Sequence, residues 1–220
     1  MLNLVEEMRH DPAIRDLIDD PYSLYPPDTA PGPDGPDQSD ARYDEDFGQW
    51  TSPFVMALVN TRVVRRSNAL LGFPWGEDFR YGEAVLNRSR SKAKALALGA
   101  RVGMFALGFE PVQKLAERLL PSPGEGPSRR QRERGYWEVF FHGVHPSDRA
   151  RDMRLKVSGD MDPGYGSTAK MLGEAALCLA LDKPGVGGGF WTPASALDGK
   201  LQQRLANNAG LSFEFVDANP

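Results

Sequence analysis

GDMDPGYGSTAKMLGEAALCLALD, residues 159–182, is the segment around which the rest of the chain is organised. The run Met153-Arg154-Leu155-Lys156-Val157 alternates in polarity and feeds into it as a strand. Between Gly159 and Gly166 lie two acids, one proline and three glycines, the composition of a tight loop. Ser167 or Thr168 is the expected N-cap of the helix that follows, because a short hydroxyl side chain accepts from an orphan amide of the first turn. Leu172, Ala176 and Leu179 share one face of that helix. Gly173 costs about 1 kcal/mol relative to Ala in a helix interior, which predicts a close approach on its side. Two readings are open. The segment is a strand–loop–helix core unit with a tight turn, or the loop lines a pocket. In the second reading backbone amides, Asp160, Asp162 and Tyr165 converge at a helix N-terminus, where partial positive charge collects.

Working outward, Tyr136–His142 alternates, with Trp137, Val139 and Phe141 on one side and Glu138 and His142 on the other. With Met153–Val157 it predicts a long-looped hairpin. Gly188–Thr192 and Leu211–Val216 are further strand candidates, with helices at about 167–182 and 194–208. A strand, the first helix and a strand at 189–192 predict a right-handed crossover. The fold class is α+β, a mixed β-sheet with helices packed on it. Gly185-Val186-Gly187-Gly188-Gly189 leaves a helix and enters a strand, the reverse of a dinucleotide fingerprint. No P-loop and no nucleophile elbow is visible.

The first half reads differently. Leu4, Met8, Ile14 and Ile18 mark helical positions within residues 1–20, divided at Pro12. The chain opens inside an element with no strand before it, and something upstream is expected. Residues 21–48 hold six prolines and the acids Asp34, Asp37, Asp40, Asp44, Glu45 and Asp46, so an extended surface loop is predicted, its start pinned by Tyr22, Leu24 and Tyr25. In WTSPFVMALVNTRVVRRSNALLG, residues 50–72, Thr51 or Ser52 is a cap and Pro53 suits a first helical turn. Arg62, Arg65 and Arg66 either place cations near the helix C-terminus or reach a cleft to hold a phosphate or carboxylate. Phe73, Trp75, Phe79 and Tyr81 are expected to pack over the core. Residues 84–109 contain no acid; they start basic and become apolar. A buried helix, an interfacial helix on anionic lipid and a subunit contact all suit such a run. Residues 121–134 read as a linker that ends in a cluster of arginines.

The whole chain of 220 residues is 40% hydrophobic and 25% charged, enough apolar material for a core. A net charge of −4 gives no general attraction to nucleic acid, and none is expected as a partner. The single Cys178 permits no internal disulfide and suits a reducing compartment as core filler. His142-x-x-His145 reads as a solvated hairpin loop, not a metal site.

The strings TSPFVMALVNTRVVRRSNALLG (51–72), FRYGEA (79–84), LPSPGEGPSRRQRERG (120–135), GDMDPGYGSTAKMLGEAALCLALD (159–182) and WTPASALDGKLQQRLANNAGLSFEF (191–215) resemble the C-terminal portion of the saccharopine dehydrogenase-like oxidoreductases, a group that includes the bacterial trans-acting enoyl reductases. The resemblance implies a longer protein whose N-terminal Rossmann domain, absent from this sequence, binds NAD(P). Residues 1–220 then form a C-terminal substrate and association domain, with 135–220 its sheet–helix unit. Hydride transfer to an unsaturated acyl or lipid-type substrate is implied for the full-length family, with no cofactor held tightly by this chain. Candidate partners are the missing Rossmann domain, a second copy in a homodimer and a lipid surface. The expected location is the cytoplasm, either free or peripheral to the inner face of the plasma membrane. The alternative is a non-catalytic membrane-peripheral or assembly module. From charge and position, Tyr165 is the candidate proton donor and Asp160 its orienting group. Asp162, Arg62, Arg65 and Arg66 are the candidate substrate-binding residues, the arginines anchoring an anionic group.

Overall fold

The computed structural model describes Glu7, residues 11–109, 111, 112, 114 and 115, and residues 125–216. Leu4, Met8 and His10 of the expected N-terminal helices, and residues 121–124 of the expected linker, lie outside them. The chain divides into two compact units, Met1–Pro121 and Ser122–Pro220.

In the first unit, α1 (Pro12–Asp19) is capped by Asp11, whose carboxylate accepts from Ala13 N at 2.9 Å. A small sheet follows, in the order β1 (Arg42–Asp44), β2 (Gln49–Pro53), β3 (Ala84–Asn87), antiparallel throughout. The capping signal expected at Thr51 and Ser52 is therefore a strand. Tertiary pairing wins over the local preference: Thr51 Oγ1 donates to Arg42 O at 3.1 Å, and buried Ser52 accepts from Asn87 Nδ2 at 3.0 Å. The helix starts four residues beyond Pro53, as α2 (Ala57–Leu70), with no side-chain cap at Met56.

Helix α2 buries a polar face. Ala57, Thr61, Arg62, Arg65, Ser67 and Asn68 are its buried residues, while Val55, Leu58 and Val59 at its start are exposed. The segment 21–48 is not a free surface loop, because two of its acids reach this face. Asp37 pairs with Arg62, and Asp34 pairs with Arg65 Nε at 2.7 Å. Proline and acid content predicted poor apolar burial correctly, yet acids that meet buried guanidinium groups need no apolar surface. Beyond α2, Asn68 fastens the turn, accepting from Trp75 N and donating to Gly76 O. The rings of Trp75, Phe79 and Tyr81 follow one another at centroid distances of 5.2 and 6.2 Å.

Helix α3 (Arg90–Ala106) is capped by Ser89, which accepts from Lys92 N. Its only buried residues are Ala93 and Ala97, which set it against β2 and β3. Within its own unit it is not the buried helix that its apolar composition suggested.

The second unit holds α4 (Arg129–Arg134), β4 (Trp137–Gly143), β5 (Met153–Gly159), α5 (Gly166–Leu181), α6 (Pro193–Asn208) and β6 (Leu211–Val216). The arginine run is thus a short helix, closed by a capping box between Ser128 and Gln131. The sheet has the order β4-β5-β6 and is antiparallel throughout. Val139, Val157 and Phe213 align across its three strands on one face. On the other, Lys156 pairs with Glu138 at 3.1 Å. The hairpin, both helices and the last strand match the expectation; the crossover does not. Residues 188–192 form no strand, and with four glycines between 185 and 189 the connection has few side chains to pack on a sheet. The hairpin end is tied by Asp152, which accepts from His145 N at 2.7 Å and lies 3.2 Å from His142 Nε2. That amide bond, helped by Arg149 and His142, holds the Asp152 carboxyl below its ordinary range.

Helix α5 packs on α6, and the Leu172–Leu179 face is not the one it buries. Arg204 of α6 donates to Asp182 Oδ1 at 2.9 Å and to Glu174 at 3.2 Å. Leu172 and Leu179 are exposed, and a Cβ at Gly173 would meet open space, so no close approach explains that glycine. Cys178 is fully buried beside Asp182, and burial pushes its thiol up, as expected of an inert filler. Among the described residues, no helix is long and apolar enough to cross a membrane.

Candidate functional site

The loop between β5 and α5 is the best-organised group of candidate residues, and its architecture starts with the glycines around it. Gly159 ends β5 opposite Trp137 in the hairpin register. A Cβ there would lie 2.3 Å from Trp137 Nε1, so only glycine lets the indole cross the strand. The indole then donates to Ser167 Oγ at 2.9 Å, and Ser167 is fully buried in the first turn of α5. The expected cap hydroxyl is therefore an acceptor for the sheet.

Capping falls to Asp162. Its Oδ1 accepts from Gly164 N at 3.1 Å and Tyr165 N at 3.0 Å, and its Oδ2 from Gly166 N at 2.7 Å. Its carbonyl accepts from Ser167 N, and its own amide donates to Arg132 O. Gly135 lies directly under it; a Cβ there would come within 2.5 Å of the Asp162 backbone. The amides that could have cradled an external anion at the α5 N-terminus are thus filled by an internal carboxylate. Residues four apart supply both the charge and the amides, which is the helix-terminus anion site closed on itself.

Asp160 points elsewhere. Its carboxylate receives Lys170 Nζ at 2.9 and 3.1 Å, and it lies over Gly210. Gly210 has φ +71, and a Cβ there would meet the carboxylate at 2.3 Å. Tyr165, at the N-cap of α5, is 54% exposed, and its ring lies against Gly126. Of the expected pair, the structure gives Asp160 to Lys170 and leaves the Tyr165 side chain at the surface.

The candidate arginines belong to the other unit. Arg62 Nη1 donates to Asp37 and to Thr61 Oγ1, and its Nη2 donates to Ile18 O at 3.0 Å. Arg65 donates to Asp34, Pro21 O and Tyr81 O at 2.7, 3.1 and 2.7 Å. Tyr22 stacks beneath Arg65, with the guanidinium 5.5 Å from the ring centroid. Arg66 donates to Leu24 O. Both buried guanidiniums are engaged by the 18–37 segment, so they staple that segment to α2. Burial and Glu83 push the Tyr81 phenol up, which keeps it protonated and donating to Glu83 at 3.0 Å.

Sequence reasoning missed the supporting residues Arg132, Gly135 and Gly210. Their signal, a glycine or a backbone carbonyl brought beside an acid in space, exists only after folding. Among the described residues there is no group of His, Cys, Asp or Glu able to hold a metal ion.

No family model matches the chain, and no solved structure matches it. It is similar to a protein of Mycobacterium tuberculosis strain H37Rv provisionally named a trans-acting enoyl reductase, with 38% identity over 229 residues, 97% of this chain and 54% of the relative. The trans-acting enoyl reductase of Mycobacterium ulcerans is 38% identical over 214 residues, 89% of this chain and 50% of the relative. That of Mycobacterium bovis strain BCG is 36% identical over 211 residues, with the same shares. The chain is thus homologous to trans-acting enoyl reductases, and it spans about half the length of the curated relatives it matches.

Proposed function

We propose that this chain is the C-terminal, substrate-side part of a saccharopine dehydrogenase-like oxidoreductase that reduces an unsaturated acyl or lipid-type substrate. One observation carries the reading: the identity to trans-acting enoyl reductases runs over 97% of the chain while spanning 54% of the relative. The nicotinamide cofactor, NADH or NADPH, belongs in this reading to a Rossmann domain in the rest of such a protein. The residues here do not fit it. A dinucleotide needs free amides where a helix begins after a strand, and after β5 those amides bond to Asp162.

Within the proposal, Tyr165 offers an exposed phenolic proton at the head of α5 and acts as the proton donor. Asp160 sets the loop through Lys170, and Asp162 fixes the backbone that carries Tyr165. Arg62, Arg65 and Arg66 hold the 18–37 segment of their own unit, in place of direct anion binding. A homodimer working on the cytoplasmic side completes the reading.

The test uses a full-length relative, with reduced nicotinamide and an enoyl thioester. Replacing the counterpart of Tyr165 by Phe is expected to lower turnover by about 100-fold or more with binding retained. Unchanged turnover sinks the proton-donor role. Titration of the present chain with reduced nicotinamide, followed by fluorescence, is expected to show no tight binding; tight binding would overturn the division of labour.

A further inference from the structure

Helix α3 carries an apolar stripe that no other described residue of its unit covers. Leu98, Val102 and Phe105 recur at i, i+4 and i+7, and Phe109 follows in the turn with its ring 5.2 Å from that of Phe105. Their exposures are 61%, 55%, 73% and 51%. On another side the helix buries Ala93 and Ala97, and at its start Arg90 lies over Trp50 of β2.

The charge around the stripe says what covers it. Arg90, Lys94 and Arg101 share the flank next to it at i, i+4 and i+11. With Arg88 and Lys92 they give residues 84–109 five cations and no acid, against −4 for the whole chain. Among the described residues Arg88, Lys92, Lys94 and Arg101 form no ion pair, while Arg90 lies over Trp50, 5.1 Å from its ring centroid. A second copy is a poor occupant, because a two-fold contact sets this cationic flank against its own image. An anionic surface with an apolar interior meets both features.

We infer that α3 and the turn after it form an interfacial anchor for an anionic lipid bilayer. The Leu98–Val102–Phe105–Phe109 stripe enters the acyl boundary, and the Arg90–Lys94–Arg101 flank lies among the headgroups. An apolar helix face of this kind sinks about 5–10 Å, and long basic side chains reach back to the headgroups from that depth. The helix lies on the membrane and does not cross it, in keeping with its length and composition. The inference stands on α3 alone and does not depend on the reductase reading.

Flotation of the whole chain with vesicles decides it. Vesicles of phosphatidylcholine with phosphatidylglycerol should carry the protein at low salt and release it at high salt, and phosphatidylcholine alone should carry little. Phe105→Asp, at an exposed position, should lower the bound fraction by about tenfold, and Arg101→Glu should also lower it, both with an unchanged circular dichroism spectrum. No flotation with the anionic vesicles overturns the inference, as does equal flotation with both vesicle types or no effect of Phe105→Asp. A concentration-dependent dimer abolished by Phe105→Asp, without flotation, also overturns it and assigns the stripe to a second copy.

Discussion

Trp137 Nε1 donates to Ser167 Oγ at 2.9 Å over the bare Cα of Gly159. This bond joins the β4–β5 hairpin to the first turn of α5, so it fixes where the loop carrying Asp160, Asp162 and Tyr165 leaves the sheet. Gly159→Ala would push the indole aside, and overpacking of this kind costs about 1–3 kcal/mol. Ser167→Ala leaves a half-buried indole N–H without its acceptor, costing about 1–3 kcal/mol. Urea unfolding followed by tryptophan fluorescence should show both losses, and they should not add, because the two changes break one contact.

Asp162 accepts three amides at the head of α5. Asp162→Ala is expected to lower stability by about 1–2 kcal/mol, the size of a strong N-cap, and to raise amide exchange at Gly164, Tyr165 and Gly166. Asp162→Asn, which keeps an acceptor oxygen, should lose less. Equal protection in all three proteins would refute the capping role.

Arg65 and Asp34 are buried together with Tyr22 and Tyr81 around them. Asp34→Ala leaves a guanidinium without its charge partner and should cost about 3–5 kcal/mol. The double change Arg65→Met with Asp34→Leu should cost clearly less than the single one, since no buried charge remains. Limited proteolysis within residues 21–41 gives a second readout, with cleavage rising in Asp34→Ala as the segment detaches from α2.

Arg204 holds the Asp182 carboxyl at about 2, below its ordinary value of 3.8. The folded protein therefore binds this proton less readily than the unfolded chain does. The stabilising contribution is complete above the unfolded value and is lost as pH falls from about 4 through about 2. In Arg204→Gln, acid unfolding of the second unit should begin at higher pH, with circular dichroism as the readout. An unchanged acid profile would mean that the Asp182–Arg204 pair does not couple folding to pH.

Local pattern carried much of the second unit. The alternation of Trp137, Val139 and Phe141 against Glu138 and His142 predicted a hairpin that pairs over seven residues a side. Leu211–Val216 and helices at 166–181 and 193–208 were equally legible in extent, the second helix through its Thr192 cap, although the cap and the packing face expected of the first are not the ones it uses. Residues 188–192 were misread as a strand because their composition is permissive and no partner strand took them up. In the first unit, Pro53 after two hydroxyl residues is a genuine helix-start signal, yet β1 and β3 claim the same backbone from both sides.

Residue order alone carries the homology, the α+β character, the second-unit hairpin and the acid-free cationic run at 84–109. These depend on residue order and on neighbours within a turn or a strand. Tertiary structure alone decided which charges are available. Asp37 and Asp34 meet Arg62 and Arg65 across 25 and 31 residues, and so turn expected anion anchors into structural pairs. Asp162 turns back on its own amides, and Gly210 comes beneath Asp160. Pairing partners distant in sequence are chosen by packing and by the removal of water from charge, and no periodicity in the chain encodes that choice.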